Sequence, residues 1–272
     1  MTISDSLGYR FADPKEFSVP ENHLLDTLAT RASCRDYADR PVDPELLRTL
    51  CALTLCSPSK SDLQQRDIII LEDATQRNRI TDLFPDGDWA RSAPCFLVFC
   101  GNNRRQRQLH ERHNVAFAND HLDAFFNAAV DAAIAIGVFV TAAESVGLGC
   151  CPVSALRNHC EAVSKILGLP DHVFPVAGMG VGWPAKKGTI SPRLPLAVTL
   201  HLNRFNDADI LSDIESYDGY RQQHQPYERQ LYADRFGVSE EYGWSQDKAR
   251  QYSVSQRVDF GRFVRNKGFS LD

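Results

Sequence analysis

The amino-acid sequence predicts a globular protein built from both helices and strands. Residues 68–71 and 95–100 are short, apolar and rich in β-branched or aromatic side chains, which is typical of buried strands. Residues 123–146 carry apolar side chains at helical spacing and form the longest such pattern in the chain. At 272 residues, 43% of them hydrophobic, the chain can bury one large core or two modest ones.

The composition of the chain argues against several classes of function. The formal net charge of −5 argues against general binding to nucleic acid or anionic membranes, although it allows a local basic pocket. No apolar run reaches membrane-span length, and residues 1–10 lack a signal-like apolar core, so we expect a cytoplasmic protein without a membrane segment. The eight cysteines form no C-x-x-C pair and have no histidines at zinc spacing, so we expect buried thiols and no metal site.

The N-terminal half begins with two predicted helices. Leucines at helical spacing predict the first helix over residues 22–32. Asp43 and Pro44 then have the types expected for an N-cap and a first helical residue. The helix that follows would bury four leucines: Leu46, Leu47, Leu50 and Leu53.

The middle of the chain alternates loops, strands and helices. A loop rich in hydroxyl side chains, residues 57–65, precedes the first strand. Between the two strands we expect a helix over residues 74–84 and a turn over residues 85–88. The helix over residues 123–146 is apolar almost all round, which places it in a large core or a subunit interface. A shorter helix over residues 155–167 should end at Gly168.

Two further strands are predicted before a polar C-terminal region. Residues 174–184 would place three glycines on one face of a strand, where another backbone or a flat ligand could approach. No helix follows them, so we reject a dinucleotide-binding fingerprint. Residues 197–202 would form the last strand. From residue 206 tyrosines and arginines interleave, but the acidic balance argues against RNA, so we expect an extension covering a partner subunit or a site.

Three side chains near the N-terminus have the types needed to bind an anion. Arg31, Ser33 and Arg35 stand at alternate positions. A guanidinium can donate two parallel hydrogen bonds to phosphate oxygens, and a hydroxyl adds another donor. The alternative is a solvated basic turn, because so short a pattern is common by chance.

Several motifs together resemble those of the FMN-dependent nitroreductase family. Within that family the resemblance is to the subgroup of the major oxygen-insensitive nitroreductase and flavin reductase P. They follow one another at the subgroup's spacing and cover most of residues 22–272. The motifs are Arg31-Ala32-Ser33-Cys34-Arg35, residues 57–64, residues 142–149, Glu161-Ala162-Val163, residues 169–173, Gly182-Trp183-Pro184, Pro192-Arg193-Leu194-Pro195 and Lys267-Gly268-Phe269.

The resemblance implies a fold and an assembly. The fold would be α+β, with a mainly antiparallel central sheet flanked by helices in a single FMN-binding domain over residues 1–272. Two copies would form a homodimer through their long central helices. Residues 206–272 would be a C-terminal extension that wraps the partner subunit and the nicotinamide site.

The resemblance also assigns cofactor-binding residues. Arg31, Ser33, Arg35 and Arg193 would bind the FMN phosphate. The ribityl hydroxyls and the edge of the isoalloxazine ring would contact Ser59, Lys60, Ser61 and Gln64. The ring would also lie beside Pro152, Val153 and Ser154.

The implied activity is reduction of a small-molecule electron acceptor by NAD(P)H. Nitroaromatics, quinones or free flavin would be reduced in a ping-pong cycle through flavin N5, with no catalytic side chain. A flavin-binding sensor or storage protein with little reductase activity is the alternative, and a flavin-dependent enzyme for one metabolite is a third. The C-terminal candidates for the nicotinamide nucleotide are Arg221, Arg229 and Arg235, which favour NADPH over NADH unless they pair with the nearby acids Asp218, Glu228, Asp234 or Glu240.

Four features of the sequence depart from the family's pattern. Asp62 places a carboxylate where the subgroup has an apolar residue, and it is a further candidate contact for the nicotinamide or the substrate. Ser191 stands where the subgroup has a lysine, which Lys60, Lys186 or Lys187 could replace. The turn over residues 85–89 lacks the subgroup's glutamine. Cys150 and Cys151 replace small or apolar residues, and we expect them to be inert packing. We also expect structural roles for His172 and His201.

Overall fold

The computed structural model describes residues 2–84 and 87–272. These residues contain four strands: β1 Arg66–Ile70, β2 Cys95–Asn102, β3 Gly149–Val153 and β4 Val173–Gly182. The α-helices are α1 Ile3–Phe11, α2 His23–Thr30, α3 Pro44–Leu55, α4 Ala74–Thr81, α5 Asp88–Arg91, α6 Arg104–His113, α7 Leu122–Ser145, α8 Cys160–Leu167, α9 Leu196–Thr199, α10 Ile210–His224, α11 Ala233–Phe236, α12 Trp244–Tyr252 and α13 Phe260–Asn266. Two 3₁₀ segments, Lys60–Asp62 and Ala155–His159, accompany them.

The described residues form two compact units. The first unit comprises residues up to 32 together with residues 189–256, and therefore contains α1, α2 and α9 to α12. The second unit comprises residues 33–188 and 257–272, and contains the four strands, α3 to α8 and α13. The C-terminal region from residue 206 is thus divided, because its last sixteen residues, 257–272, belong to the second unit.

A four-stranded antiparallel sheet forms the centre of the second unit, in the order β1-β2-β4-β3. Val98 of β2 pairs with Ile69 of β1 on one side and with Gly178 of β4 on the other. At the far edge Cys151 of β3 pairs with Gly180 of β4. The predicted α+β fold with a mainly antiparallel sheet is confirmed.

Helix α7 packs on this sheet. It contacts β1, β2 and β3 as well as α3, and Phe139 meets Phe99 of β2 edge to face, with ring centroids 5.7 Å apart. Its buried alanines, including Ala132 and Ala135, allow the close approach. By length and composition alone α7 would pass for a membrane span, but its buried face is part of the core of this unit.

Helix α3 starts where the sequence predicts it, but one of its leucines predicted to be buried is exposed. The Asp43 carboxylate accepts the backbone N–H of Glu45, as expected of an N-cap. Leu47 and Leu50 are buried, but Leu53 is 53% exposed. The buried stripe advances through residues 47, 50, 51 and 54, so Leu53 lies on a different face of the helix.

Two other predicted helices have different limits. Residues 155–159 are 3₁₀, and α8 begins at Cys160, although Gly168 ends it with φ +63° as expected. Helix α4 ends at Thr81. Residues 85 and 86 of the predicted turn lie outside the described residues, and Gly87 precedes α5.

The glycines of β4 make room for side chains of the protein itself. A methyl group at Gly178 would lie 2.7 Å from the ring of Phe96, and one at Gly182 would lie 2.6 Å from Pro94. At Gly180 the Tyr37 hydroxyl would be 2.9 Å away. Side chains of the protein therefore fill the space into which another backbone or a flat ligand could have come.

The first unit is helical in its described residues. Helix α1 contacts α2, and α10 contacts both α9 and α12. The strand predicted over residues 197–202 is wrong, because residues 196–199 form α9 and Leu202 is exposed. Pro195 directly before Leu196 favours a helical turn here, and four apolar residues do not by themselves distinguish a strand from a helix.

Candidate functional site

Two of the predicted phosphate-binding arginines lie in the first unit. Arg31 immediately follows α2, and Arg193 is exposed in the segment before α9. Among the described residues no acid lies within ion-pair distance of Arg193, whose backbone N–H donates to the carbonyl of Arg10 at 2.6 Å. The Arg193 guanidinium donates to the neighbouring Pro192 carbonyl at 3.3 Å, and with no acid of the described chain paired to it its remaining donors can bind an external anion.

The other half of the predicted phosphate motif lies in the second unit. Ser33 and Arg35 are exposed, while Cys34 between them is half-buried. The Cys34 N–H donates to the Cys150 carbonyl at 3.0 Å, and the Tyr37 hydroxyl donates to the Cys34 carbonyl at 2.8 Å. This segment is thus fixed beside β3 with its two polar side chains in solvent.

The 57–65 loop holds a strained conformation. Ser61, Asp62 and Gln64 have φ values of +49°, +56° and +51°, in the left-handed region. A non-glycine residue there costs about 1–3 kcal/mol, and such strain is concentrated at functional sites. Three strained residues among four consecutive positions single this loop out, and they include two predicted cofactor ligands.

The buried carboxylate of Asp131 in α7 fixes both ends of this loop. Its two oxygens accept the backbone N–H groups of Lys60 at 3.0 Å and of Gln65 at 2.8 Å. Asp131 has no solvent exposure. Arg105 donates to the Gln64 carbonyl at 2.6 Å from outside the loop. The exposed Lys60, Ser61 and Gln64 side chains are therefore presented from an immobilised backbone.

Within the loop, the side chains make few bonds of their own. The Ser59 hydroxyl accepts the Gln64 N–H at 3.0 Å and keeps its own proton to donate. Gln64 donates to the exposed Asp62 carboxylate at 3.0 Å. The carboxylate at position 62 is thus held next to the predicted ligand Gln64.

The end of β3 carries the three residues predicted beside the flavin ring. Pro152 and Ser154 are exposed, and Val153 is half-buried. Arg257 donates to the Ser154 hydroxyl at 3.2 Å and to the Asn158 side chain at 2.6 Å. This arginine is a further cation beside the predicted ring contacts within the second unit.

A cavity of about 540 Å³ in the first unit includes one predicted nicotinamide-nucleotide residue, Arg221. It is lined by the cations Arg193, Arg221 and Lys248 and by the aromatic side chains Phe11, Tyr217, Tyr227 and Trp244, among others. Arg229 and Arg235 are exposed and do not line it.

The alternative interpretation, in which the C-terminal arginines pair with nearby acids, is not supported. Within the part of the chain that the structure describes, no ion pair within 4.0 Å involves Arg221, Arg229 or Arg235. The Arg221 guanidinium instead lies over the Tyr227 ring, 4.6 Å from its centroid.

The structure shows the surroundings of Ser191 and of the double cysteine, although nothing in it explains the serine itself. The Ser191 carbonyl accepts a hydrogen bond from Arg10. Lys186, one proposed replacement for the missing lysine, pairs with Asp36 at 3.0 Å. Cys150 and Cys151 are fully buried, in agreement with inert packing.

Several of the described thiols are buried and have raised pKa values. Burial raises the pKa of Cys34, and it raises the pKa of Cys100 and of Cys160 to about 12, so these thiols stay protonated at neutral pH. Among the described residues no group of three or more His, Cys, Asp or Glu side chains could hold a metal ion.

The two histidines expected to be structural lie in different settings. His172 approaches the Gly268 carbonyl at 2.9 Å and packs against Phe269, so it fixes the C-terminal segment. His201 packs against the exposed Phe205 and is flanked by exposed leucines, so it lies near the surface and not in a core.

The sequence analysis missed four residues that hydrogen-bond to segments carrying predicted site residues: Arg10, Arg105, Asp131 and Arg257. Asp131 had a readable signal, because it is an acid in the interior of a long apolar helix and such a charge needs a partner. The arginines had none, since each bonds to groups that are distant in sequence.

Comparison with known proteins identifies two family models along the chain. The model described as the nitroreductase family matches residues 28–183. The model described as the nitroreductase family, C-terminal domain, matches residues 191–272. The first model therefore covers more than half of the chain.

Individual relatives match over nearly the full length. An FMN reductase [NAD(P)H] of Bacillus subtilis is 31% identical over 92% of this chain and 99% of its own. An NADPH-flavin oxidoreductase of Vibrio harveyi is 30% identical over the same shares. The structure of NADPH:FMN oxidoreductase from Vibrio harveyi, complexed with NAD+, superposes with a TM-score of 0.79 at 28% identity, covering 91% of this chain and 98% of its own.

Proposed function

Because this chain belongs to the nitroreductase family, we propose that it is an FMN-dependent NAD(P)H oxidoreductase that reduces nitroaromatics, quinones or free flavin. The observation that carries the proposal is the near-complete match to relatives named as FMN and flavin reductases. Those relatives are named as enzymes, which favours this function over a flavin-binding sensor or store.

The donor set fits FMN. We assign the phosphate to Arg31, Ser33, Arg35 and Arg193, since a dianion needs several charge-assisted donors in a protein of net charge −5. We assign the ribityl chain and the ring edge to Ser59, Lys60, Ser61 and Gln64. Pro152, Val153 and Ser154 would lie beside the ring. The strained, immobilised backbone of the 57–65 loop supports this assignment, because fixed donors lose little entropy on binding.

When FMN is bound, its isoalloxazine ring supplies the redox chemistry for a ping-pong exchange between NAD(P)H and the acceptor. The side chains bind and orient the two reactants, and none is assigned as nucleophile or proton carrier. The raised pKa of the Cys34 thiol is consistent with this division, because a protonated thiol is a poor nucleophile.

We assign the 2′-phosphate of NADPH to Arg221 rather than to Arg229 or Arg235. Arg221 lines the cavity of the first unit, where Lys248 and Arg193 add positive charge and four aromatic side chains offer stacking surfaces. This assignment favours NADPH over NADH.

We further propose a cytoplasmic homodimer whose residues 206–272 wrap the partner subunit and the nicotinamide site. Exposed apolar side chains on α7 support an interface on that helix, among them Leu122 and Phe126. Large apolar groups in solvent are typical of association surfaces.

Anaerobic stopped-flow mixing tests the function. The purified protein should be yellow, release flavin on heating, and bleach within milliseconds to seconds when mixed with NADPH. Subsequent addition of a quinone should restore the oxidised spectrum. Flavin that stays oxidised for minutes with both NADPH and NADH would instead identify a binding or storage protein.

A further inference from the structure

The buried guanidinium of Arg10 joins two distant parts of the first unit. Arg10 lies in the last turn of α1 and is only 5% exposed. Its Nε donates to the Ala29 carbonyl at 2.7 Å, and one terminal nitrogen donates to the Arg31 carbonyl. The other terminal nitrogen donates to the Ser191 carbonyl at 3.1 Å. One planar group therefore orients the end of α2 and the segment that begins at residue 191.

The backbone of Arg10 adds a fourth connection. Its carbonyl accepts the N–H of Arg193 at 2.6 Å. Residue 10 is thus bonded directly to the main chains of Arg31 and Arg193, which carry two of the guanidinium groups assigned to the FMN phosphate.

Capping of α2 explains only part of this arrangement. Ala29 and Arg31 lie at the C-terminal end of α2, where carbonyls lack helical partners and a cation is favourable. A cap needs no bond to Ser191 and none to Arg193. Those two bonds connect segments more than 150 residues apart in sequence, and they fix the main chain on both sides of Pro192.

We propose that Arg10 is a positioning residue for the cofactor phosphate, holding the main chains of Arg31 and Arg193 so that their side chains bind one anion. This inference rests on the proposed function. Residue 10 lies before both matched family regions, which begin at residues 28 and 191, so the role belongs to the N-terminal helix of this chain.

The test compares FMN with riboflavin, which has the same ring and ribityl chain but no phosphate. Arg10→Lys keeps the charge but cannot donate to three carbonyls in one plane. We expect it to weaken FMN binding to the apoprotein at least about tenfold, a loss of one charge-assisted contact, and to leave riboflavin binding unchanged. Fluorescence titration measures both affinities without any turnover.

Arg250→Lys is the matched control. Arg250 is a buried arginine of the same unit, 9% exposed, and donates to the Leu231 and Gly237 carbonyls. Both variants lose buried bonds and should unfold at lower temperature, but Arg250→Lys should bind FMN like the wild type. A merely structural Arg10 would lower FMN and riboflavin affinity together, or neither, and either result overturns the proposal.

Arg193→Ala separates this inference from the proposed function. It should weaken FMN binding, and adding Arg10→Lys to it should cost less than in the wild-type background, because both changes remove the same contact. Full additivity would contradict the positioning role. If the wild type binds no FMN, or Arg193→Ala binds it normally, the function or the phosphate assignment is wrong instead.

Discussion

Asp131 shows how one side chain can define a site that it does not line. Its carboxylate is withdrawn from water and accepts two backbone N–H groups, one from each end of the 57–65 loop. A buried carboxylate is stable only when such donors satisfy it. The exposed loop residues that we assign to FMN therefore depend on a residue in the middle of α7.

We expect Asp131→Asn to destabilise the fold and to weaken FMN binding. An amide can accept one of the two N–H groups but presents a donor to the other, which costs about 1–3 kcal/mol for an unsatisfied buried group. Chemical unfolding measures the free-energy change, and flavin fluorescence measures the affinity.

The control for that change is Asp123→Asn in the same helix. Asp123 is exposed and bonds to Asn127 one turn further on, not to the loop. Asp123→Asn should change the free energy of unfolding by only about 0.5 kcal/mol, less than Asp131→Asn does. It should leave FMN affinity unchanged. Equal effects from the two substitutions would contradict the role assigned to Asp131.

At the scale of single elements, the C-terminal end of α8 allows a clean measurement of backbone strain. Gly168 has φ +63° and its N–H donates to the Ser164 carbonyl, while no heavy atom lies within 4 Å of the position a methyl group would take. Gly168→Ala should therefore destabilise the protein by about 1 kcal/mol through backbone conformation alone.

Gly219 in α10 provides the opposite case. It also has open space around the methyl position, but it lies inside a regular helix. Gly219→Ala should be stabilising by about 0.5–1 kcal/mol, because alanine restricts the unfolded chain and favours helix. Thermal unfolding shows whether each substitution stabilises or destabilises the protein. If both destabilise it, crowding of the added methyl group and not the backbone φ determines the change in stability.

The elements that sequence predicts well are those fixed by local chemistry. Asp43 and Pro44 specify the start of α3, and the β-branched and aromatic side chains of β1 and β2 favour strands. The run at residues 197–202 is different, since its conformation depends on whether a neighbouring strand is available to pair with it. It forms α9 followed by exposed chain.

The sequence suggests residue types for the site but not the contacts that hold them in place. The types of Arg31, Ser33 and Arg35 are suited to an anion, and their binding of FMN stays a prediction. The left-handed backbone at Ser61 and the carbonyls bound by Arg10 come from contacts between residues far apart in sequence. Periodicity and composition carry no information about such contacts.

At the scale of the whole molecule, α7 has two different faces. One packs on the sheet through Phe139 and small residues, and the other exposes Leu122 and Phe126, which are 51% and 60% accessible and one helical turn apart. A helix that is apolar on both sides needs a second surface to cover it. In a homodimer, the equivalent helix of a second copy would provide that surface.

Phe126→Lys tests this assembly. A lysine in the contact would have to lose its hydration, and the large aromatic contact is removed, so we expect the dimer dissociation constant to rise at least about 30-fold. Leu109→Lys is the control, because Leu109 is similarly exposed, at 48%, on α6 of the same unit. Sedimentation velocity should show monomers for Phe126→Lys at concentrations where the wild type and Leu109→Lys are dimers. A Phe126→Lys protein that remains as tightly dimeric as the wild type would place the interface elsewhere.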